Sequence, residues 1–158
     1  MFLPHLLDQD EGHVVNTASI AGLAGVAALG VYCTTKFAVV GLSESLHLDL
    51  AARGSNVGVS VLCPGFVATR IFDSHRNMPD AVRAVATLDQ EADEVQRTIV
   101  GLGIPATDVA EKVFAAIEDR RFFVLPHERA ALQSVESRLS WLGGGEPVPF
   151  EITSLLRP

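Results

Sequence analysis

The stretch from Val57 to Cys63 (VGVSVLC) constrains this chain more than any other part of it. Successive side chains of a strand point to opposite faces, and here both sets are apolar or small. Neither face is suited to water. Such a strand is at home between two layers of structure, as in a parallel sheet covered by helices on both sides. Pro64-Gly65 then stops it.

The neighbouring segments meet that requirement. Gly12 to Thr17 (GHVVNT) has the β-branched residues and opening glycine turn of a second strand. Ala18 to Gly30 is rich in glycine and alanine and is expected to be a loop leading into a helix. Tyr32 to Arg53 is predicted as that helix, with Val39, Leu42, Leu46 and Leu50 as its apolar stripe. Gly54 stands where a left-handed C-cap belongs. From Asp73 to Leu102 charge is dense, and one or two surface helices are expected. A further helix is predicted from about Asp108 to Arg120, with Thr107 or Asp108 as N-cap and Val109, Val113 and Ile117 in register. Phe122 to Leu125 is a third strand, closed by Pro126. A polar helix, Glu128 to Leu142, precedes Gly143-Gly144-Gly145 and a proline-containing tail.

This alternation predicts the α/β class: a partial Rossmann-like, doubly wound parallel sheet of about three strands with flanking helices. A full dinucleotide-binding sheet has about six strands and a glycine fingerprint at its first strand-to-helix turn. No GxGxxG occurs here, so the sequence is expected to begin in the middle of a fold.

Composition narrows the partners. The net charge of −7 argues against nucleic acid, which demands a basic patch. No basic run suits an anionic membrane surface. The apolar stretch Ile20 to Val31 is interrupted by glycines and too short to cross a bilayer, and Met1 to Leu7 lacks the form of a signal peptide. A cytoplasmic location is therefore expected. Cys33 and Cys63 belong to no CxxC or Cys/His cluster and are expected to be buried thiols. His5, His13, His47, His75 and His127 lack metal-ligand spacing, so no metal site is expected.

The chemistry-bearing residues lie around the first helix. Tyr32 and Lys36 are four residues apart and leave the same helix face. A phenol ordinarily keeps its proton at neutral pH, but an ammonium within a few ångströms favours the phenolate, and the amino end of a helix acts in the same direction. That pairing makes a usable general acid or base. Ser19 directly follows the strand ending at Thr17, which puts a hydroxyl at the carboxyl end of a parallel strand, where open α/β sheets bind ligands. A Tyr-x-x-x-Lys alone is ordinarily a surface feature, and a serine after a strand is ordinarily turn chemistry. Their order and spacing give the combination its specificity.

Taken together, GHVVNTASIAGLAGVAALGVYCTTKFAVVGLSESLHLDLAARGSNVGVSVLCPGFVATRI resembles the short-chain dehydrogenases/reductases from their fifth strand to just past their sixth. Ser19 precedes Tyr32 by the family's spacing, Tyr32 to Lys36 matches YxxxK, and Pro64 to Thr69 matches PGxVxT. The resemblance implies an NAD(P)-dependent oxidoreductase that transfers hydride between the nicotinamide and a small-molecule alcohol or ketone. In it Tyr32 is the proton donor or acceptor, Lys36 binds the nicotinamide ribose and favours the phenolate, and Ser19 orients the substrate oxygen. Pro64, Gly65, Val67 and Thr69 contact the nicotinamide carboxamide, so Tyr32, Lys36 and these four form the expected cofactor site. Residues 1–126 correspond to the carboxyl-terminal part of the family's Rossmann domain, with 73–104 as a substrate lid or a solvated excursion. Residues 127–158 form a carboxyl-terminal helix and tail.

The resemblance also implies a homo-oligomer formed through helix 32–53. The residues that select NAD or NADP, and the asparagine completing the family's Ser-Tyr-Lys-Asn set, lie outside the matched segments; Asn16 sits within a strand and does not replace it. Two readings stay open: an oxidoreductase, or a truncated, non-catalytic remnant or oligomerisation module.

Overall fold

The structure is a computed structural model and describes residues 2–83 and 90–146. Helix α1 (Leu3–Gln9) leads through Asp10, whose φ of 47° turns the chain, into β1 (His13–Thr17). A 3-10 turn (Ile20–Gly22) precedes the long helix α2 (Gly30–Ala52), after which come β2 (Gly58–Leu62) and the short β3 (Val67–Ala68). A 3-10 segment (Ile71–Asn77), α3 (Asp80–Arg83) and α4 (Gln90–Gly101) follow. The chain then runs through β4 (Ile104–Pro105), α5 (Ala106–Glu118), β5 (Phe123–Val124) and α6 (Glu128–Leu142).

The main sheet has the order β1-β2-β5, all parallel, with Val14 opposite Val59 and Val61 opposite Phe123. Every residue of β2 is buried, as its two-sided apolar pattern requires. Val61 and Cys63 face Ile20 and Val40, together with Ala130 and Ala131 of α6. Leu62, pointing the other way, packs with Val109 and Ala116 of α5. Helices thus cover both faces of the central strand. A third cluster joins the carboxyl-terminal end of α2 to the start of β2: Leu50 meets Val57 and Val59, with Leu6 and Leu7 of α1 beside them.

Polar groups inside the sheet are paired across strands. His13 Nε2 and Ser60 Oγ lie 2.8 Å apart, and the serine hydroxyl donates to the Arg121 carbonyl at 2.6 Å. The serine has a single proton to give, so the His13 ring supplies the other one from Nε2. Burial lowers the pKa of His13, with Arg120 acting in the same sense.

Three expectations need adjustment. Leu42 is 66% exposed, because the buried face of α2 runs through Cys33, Val40, Ser43 and Leu50 instead. That face must present Ser43 to Asn16 of β1, which rotates Leu42 outward. Neither Thr107 nor Asp108 caps α5: β4 runs straight into the helix, Pro105 occupies the cap position, and Asp108 falls in the first turn, where its charge suits the helix dipole. The segment after Pro64-Gly65 is more than a turn, since β3 pairs in parallel with β4 as a second, two-stranded sheet. Helix α6 spans the expected Glu128–Leu142 and joins the main core through Ala130 and Ala131. Of the expected lid, residues 84–89 lie outside the described residues, as do residues 147–158 of the tail.

Candidate active site

The carboxyl ends of β1 and β2 release two loops that stay in contact. The ladder continues one step beyond the strands, with the Ala18 N–H donating to the Leu62 carbonyl at 2.8 Å. Ile20 N–H then donates to the Pro64 carbonyl at 3.0 Å. Ser19, between them, is fully extended and begins the 3-10 turn: its Oγ accepts the Ala21 N–H at 3.2 Å and donates to the Pro64 carbonyl at 3.4 Å. The serine therefore stands between both loops with a long, weak donor contact.

Gly22 decides how closely this loop meets α2. A Cβ at that position would lie 2.6 Å from the Lys36 carbonyl oxygen and 3.0 Å from a Val40 methyl. Only glycine lets the turn rest directly on the helix backbone at Lys36. Between them, residues 23–29 are held by a Val26 N–H to Cys33 Sγ contact of 3.4 Å.

Tyr32 is the third residue of α2 and Lys36 lies one turn on, both half-buried. The Lys36 ammonium sits 5.6 Å from the centroid of the Tyr32 ring and donates to the Thr17 carbonyl, the last of β1, at 3.2 Å. One side chain thus links the phenol to the strand end, two residues before Ser19. The structure joins Tyr32 with Lys36, and Ser19 with Pro64. Thr69, just past β3, is exposed. Asn16 is engaged elsewhere: its Nδ2 donates to Ser43 Oγ at 3.0 Å, and that hydroxyl donates to the Val39 carbonyl.

The Pro64–Val67 turn is itself tightly seated. Ile104 N–H donates to the Phe66 carbonyl at 3.2 Å, and a Cβ on Gly103 would come within 2.5 Å of that oxygen. Gly65 N–H donates to Nδ1 of His127, a side chain with no exposed surface, at 3.1 Å. Neither glycine contact nor histidine contact was signalled by a local motif, because each joins residues far apart in sequence. Cys63, at the root of the turn, is pushed up to about 11 by burial, against smaller opposing pulls from the Ser19 backbone and the Lys36 ammonium. Beyond the turn, Asp73 pairs with Arg70 at 2.8 Å and with Arg97 of α4 at 3.2 Å, and Arg70, ahead of Arg97, holds its carboxyl below the usual range.

Among the described residues no helix is long and apolar enough to cross a membrane. The family model described as short chain dehydrogenase matches residues 1–80. The chain is 31% identical over 132 residues to the CLA biosynthesis dehydrogenase/reductase of Lactiplantibacillus plantarum, covering 79% of this chain and 46% of that protein. A short-chain dehydrogenase/reductase from Burkholderia phymatum, solved in complex with NAD, superposes with a TM-score of 0.83 at 39% identity, over 93% of this chain and 54% of that one. One from Sphingobium yanoikuyae, solved with NADPH, shares the fold at 18% identity with a TM-score of 0.57, over 89% of this chain and 48% of that one. The chain spans about half the length of these proteins, and with the family model matched over half its residues, it belongs to the short-chain dehydrogenase family of oxidoreductases.

Proposed function

We propose that this chain carries the chemical centre of an NAD(P)-dependent oxidoreductase acting on an alcohol or ketone. The observation that carries this reading is Lys36, whose ammonium bridges the Tyr32 ring and the carboxyl end of β1. Tyr32 is the only tyrosine in the sequence, so the proton-transfer role has one candidate phenol.

The residues suit the nicotinamide end of the cofactor. An ammonium has three donors, one of which Lys36 gives to Thr17, leaving capacity for ribose hydroxyls. The backbone of Pro64, Gly65 and Val67 and the Thr69 hydroxyl offer polar groups suited to a carboxamide. No glycine-rich phosphate cradle is present in the sequence. When bound, the nicotinamide supplies or accepts the hydride. Tyr32 gives a proton to the substrate oxygen in reduction and removes it in oxidation. Ser19 exchanges its weak contact with Pro64 for a hydrogen bond to that oxygen, stabilising charge that develops there. Residues 73–104 cover the substrate, steadied by the Asp73–Arg97 pair.

In this reading the chain corresponds to the carboxyl-terminal half of the family fold. Its support is the edge position of β1, which has β2 on one side and no described strand on the other. Such an edge takes up another strand readily. Leu42 and Leu48, both 66% exposed, support an oligomer formed through helix 32–53. The same two features favour the second reading, an interaction module without turnover. Two buried free cysteines suit the reducing cytoplasm, where we place the protein.

Titrating NADH and NADPH against the purified chain, followed by cofactor fluorescence, separates the readings. Binding that saturates below millimolar cofactor supports the oxidoreductase, and its absence supports the interaction module. An in-frame TGxxxGxG coding stretch upstream of Met1 would support the half-fold assignment.

A further inference from the structure

We propose that His127 is a positioning residue for the cofactor: by accepting the Gly65 N–H it sets the shape of the Pro64–Val67 turn against which the nicotinamide would rest. The inference builds on the oxidoreductase reading above and adds a residue to it from outside every matched motif.

His127 lies 62 residues from Gly65, at the cap position of α6, and its side chain is wholly buried. Acceptance at Nδ1 requires the neutral ring with its proton on Nε2. The carbonyls of the turn are held from other elements, Pro64 by Ile20 N–H and the Ser19 hydroxyl and Phe66 by Ile104 N–H; Pro64 has no N–H, so on the donor side His127 holds the turn through the Gly65 N–H. Gly65 lies three residues beyond the end of β2, and an N–H there that loses its acceptor turns to find another.

The same helix also reaches the other loop. Arg138 donates to the Leu23 carbonyl at 3.2 Å and stacks 4.9 Å from the Phe37 ring, so α6 touches the segment that follows Ser19 as well. Core contacts of Ala130 and Ala131 with Ile20 and Val61 hold α6 in register for both. A helix without a recognisable motif thus braces the two loops between which the substrate oxygen and nicotinamide would meet.

The test compares His127→Asn, which keeps an acceptor near the Nδ1 position, with His127→Leu, which fills similar space without one. NADH and NADPH affinity, turnover at saturating cofactor, melting temperature and Gly65 amide exchange are measured on each. The expected result is weaker cofactor binding by about tenfold in the leucine variant, near-normal binding in the asparagine variant and little change in turnover at saturation. Gly65 exchange should speed up in the leucine variant alone. If the leucine variant does not fold, His127→Ser, too short to reach Gly65, takes its place.

Equal affinity in the wild type and the leucine variant overturns the inference while leaving the oxidoreductase reading intact. A wild type that binds neither cofactor overturns that reading, and with it the consequence for the nicotinamide. Gly65 exchange then still decides whether His127 holds the turn: unchanged exchange in the leucine variant overturns that too.

Discussion

At the amino end of the sheet, the Asp10 carboxylate accepts the Asn56 N–H and Nδ2, each at 2.8 Å, and the Ser55 hydroxyl at 3.0 Å. Arg120 closes the same corner by donating to the Asn56 carbonyl at 2.6 Å. At the carboxyl end, Ser19 reaches its acceptor at 3.4 Å and Lys36 at 3.2 Å, and both contacts go to backbone carbonyls. Short contacts to several donors fix the first corner as architecture. Longer single contacts leave the second with donors that a ligand can recruit at little cost. The comparison teaches where function should respond to mutation and where only stability should.

The largest test of that division is Tyr32→Phe. Turnover should fall by about 100- to 10,000-fold, the usual range for a general acid or base, with cofactor affinity retained. Steady-state kinetics beside a cofactor titration would check both halves. Unchanged turnover would place the phenol outside the chemistry and erase the contrast between the ends.

Cys63 sharpens the contrast from within the carboxyl end. With its thiol raised from 9.0 to about 11, the thiolate at pH 8 should be roughly a hundredfold scarcer than in an unshifted thiol. Because the thiol is also fully buried, native alkylation should be slow and become fast in denaturant, as mass spectrometry would report. Rapid labelling of the folded chain would show the root of the turn to be open.

Gly22→Ala probes the join between the two loops and α2. The added Cβ meets backbone at Lys36, so an overpacking cost of about 1–3 kcal/mol is expected in urea denaturation. Turnover should fall too, because Ser19 moves relative to the helix that carries Tyr32. A variant as stable and active as wild type would mean the loop tolerates that shift.

The smallest effect belongs to Asp10. Hydrogen bonds from Asn56 and Ser55 hold its carboxyl below the ordinary range in the folded chain. Its contribution is therefore present above the unfolded carboxylate value, near pH 4, and is lost as pH falls through the lower folded value. Asp10→Asn should flatten the acid limb of the stability profile and leave turnover unchanged. A loss of turnover would couple the two ends and break the distinction between them.

Much of this organisation is written locally. The two-sided apolar pattern of 57–63 requires a covered parallel strand, and β2 is buried throughout. The helix carrying Tyr32 and Lys36 runs Gly30–Ala52, with Gly54 at φ +65° just beyond its end. The spacing of Tyr32 and Lys36 suffices to put them one turn apart on any helix, which is why their proximity was legible. The outward turn of Leu42 was not, because periodicity finds an apolar stripe without saying which of two neighbouring arcs the sheet will cover.

The sequence alone determined the layered α/β class, the strand-to-helix order and the placing of Tyr32 and Lys36 one turn apart, since each follows from short-range pattern or spacing. Only the tertiary structure decided that Gly22 rests on Lys36, that Gly103 lies against Phe66 and that His127 receives the Gly65 N–H. Those contacts depend on how separate elements dock, and docking is fixed by packing among residues whose separation in the chain carries no local signal.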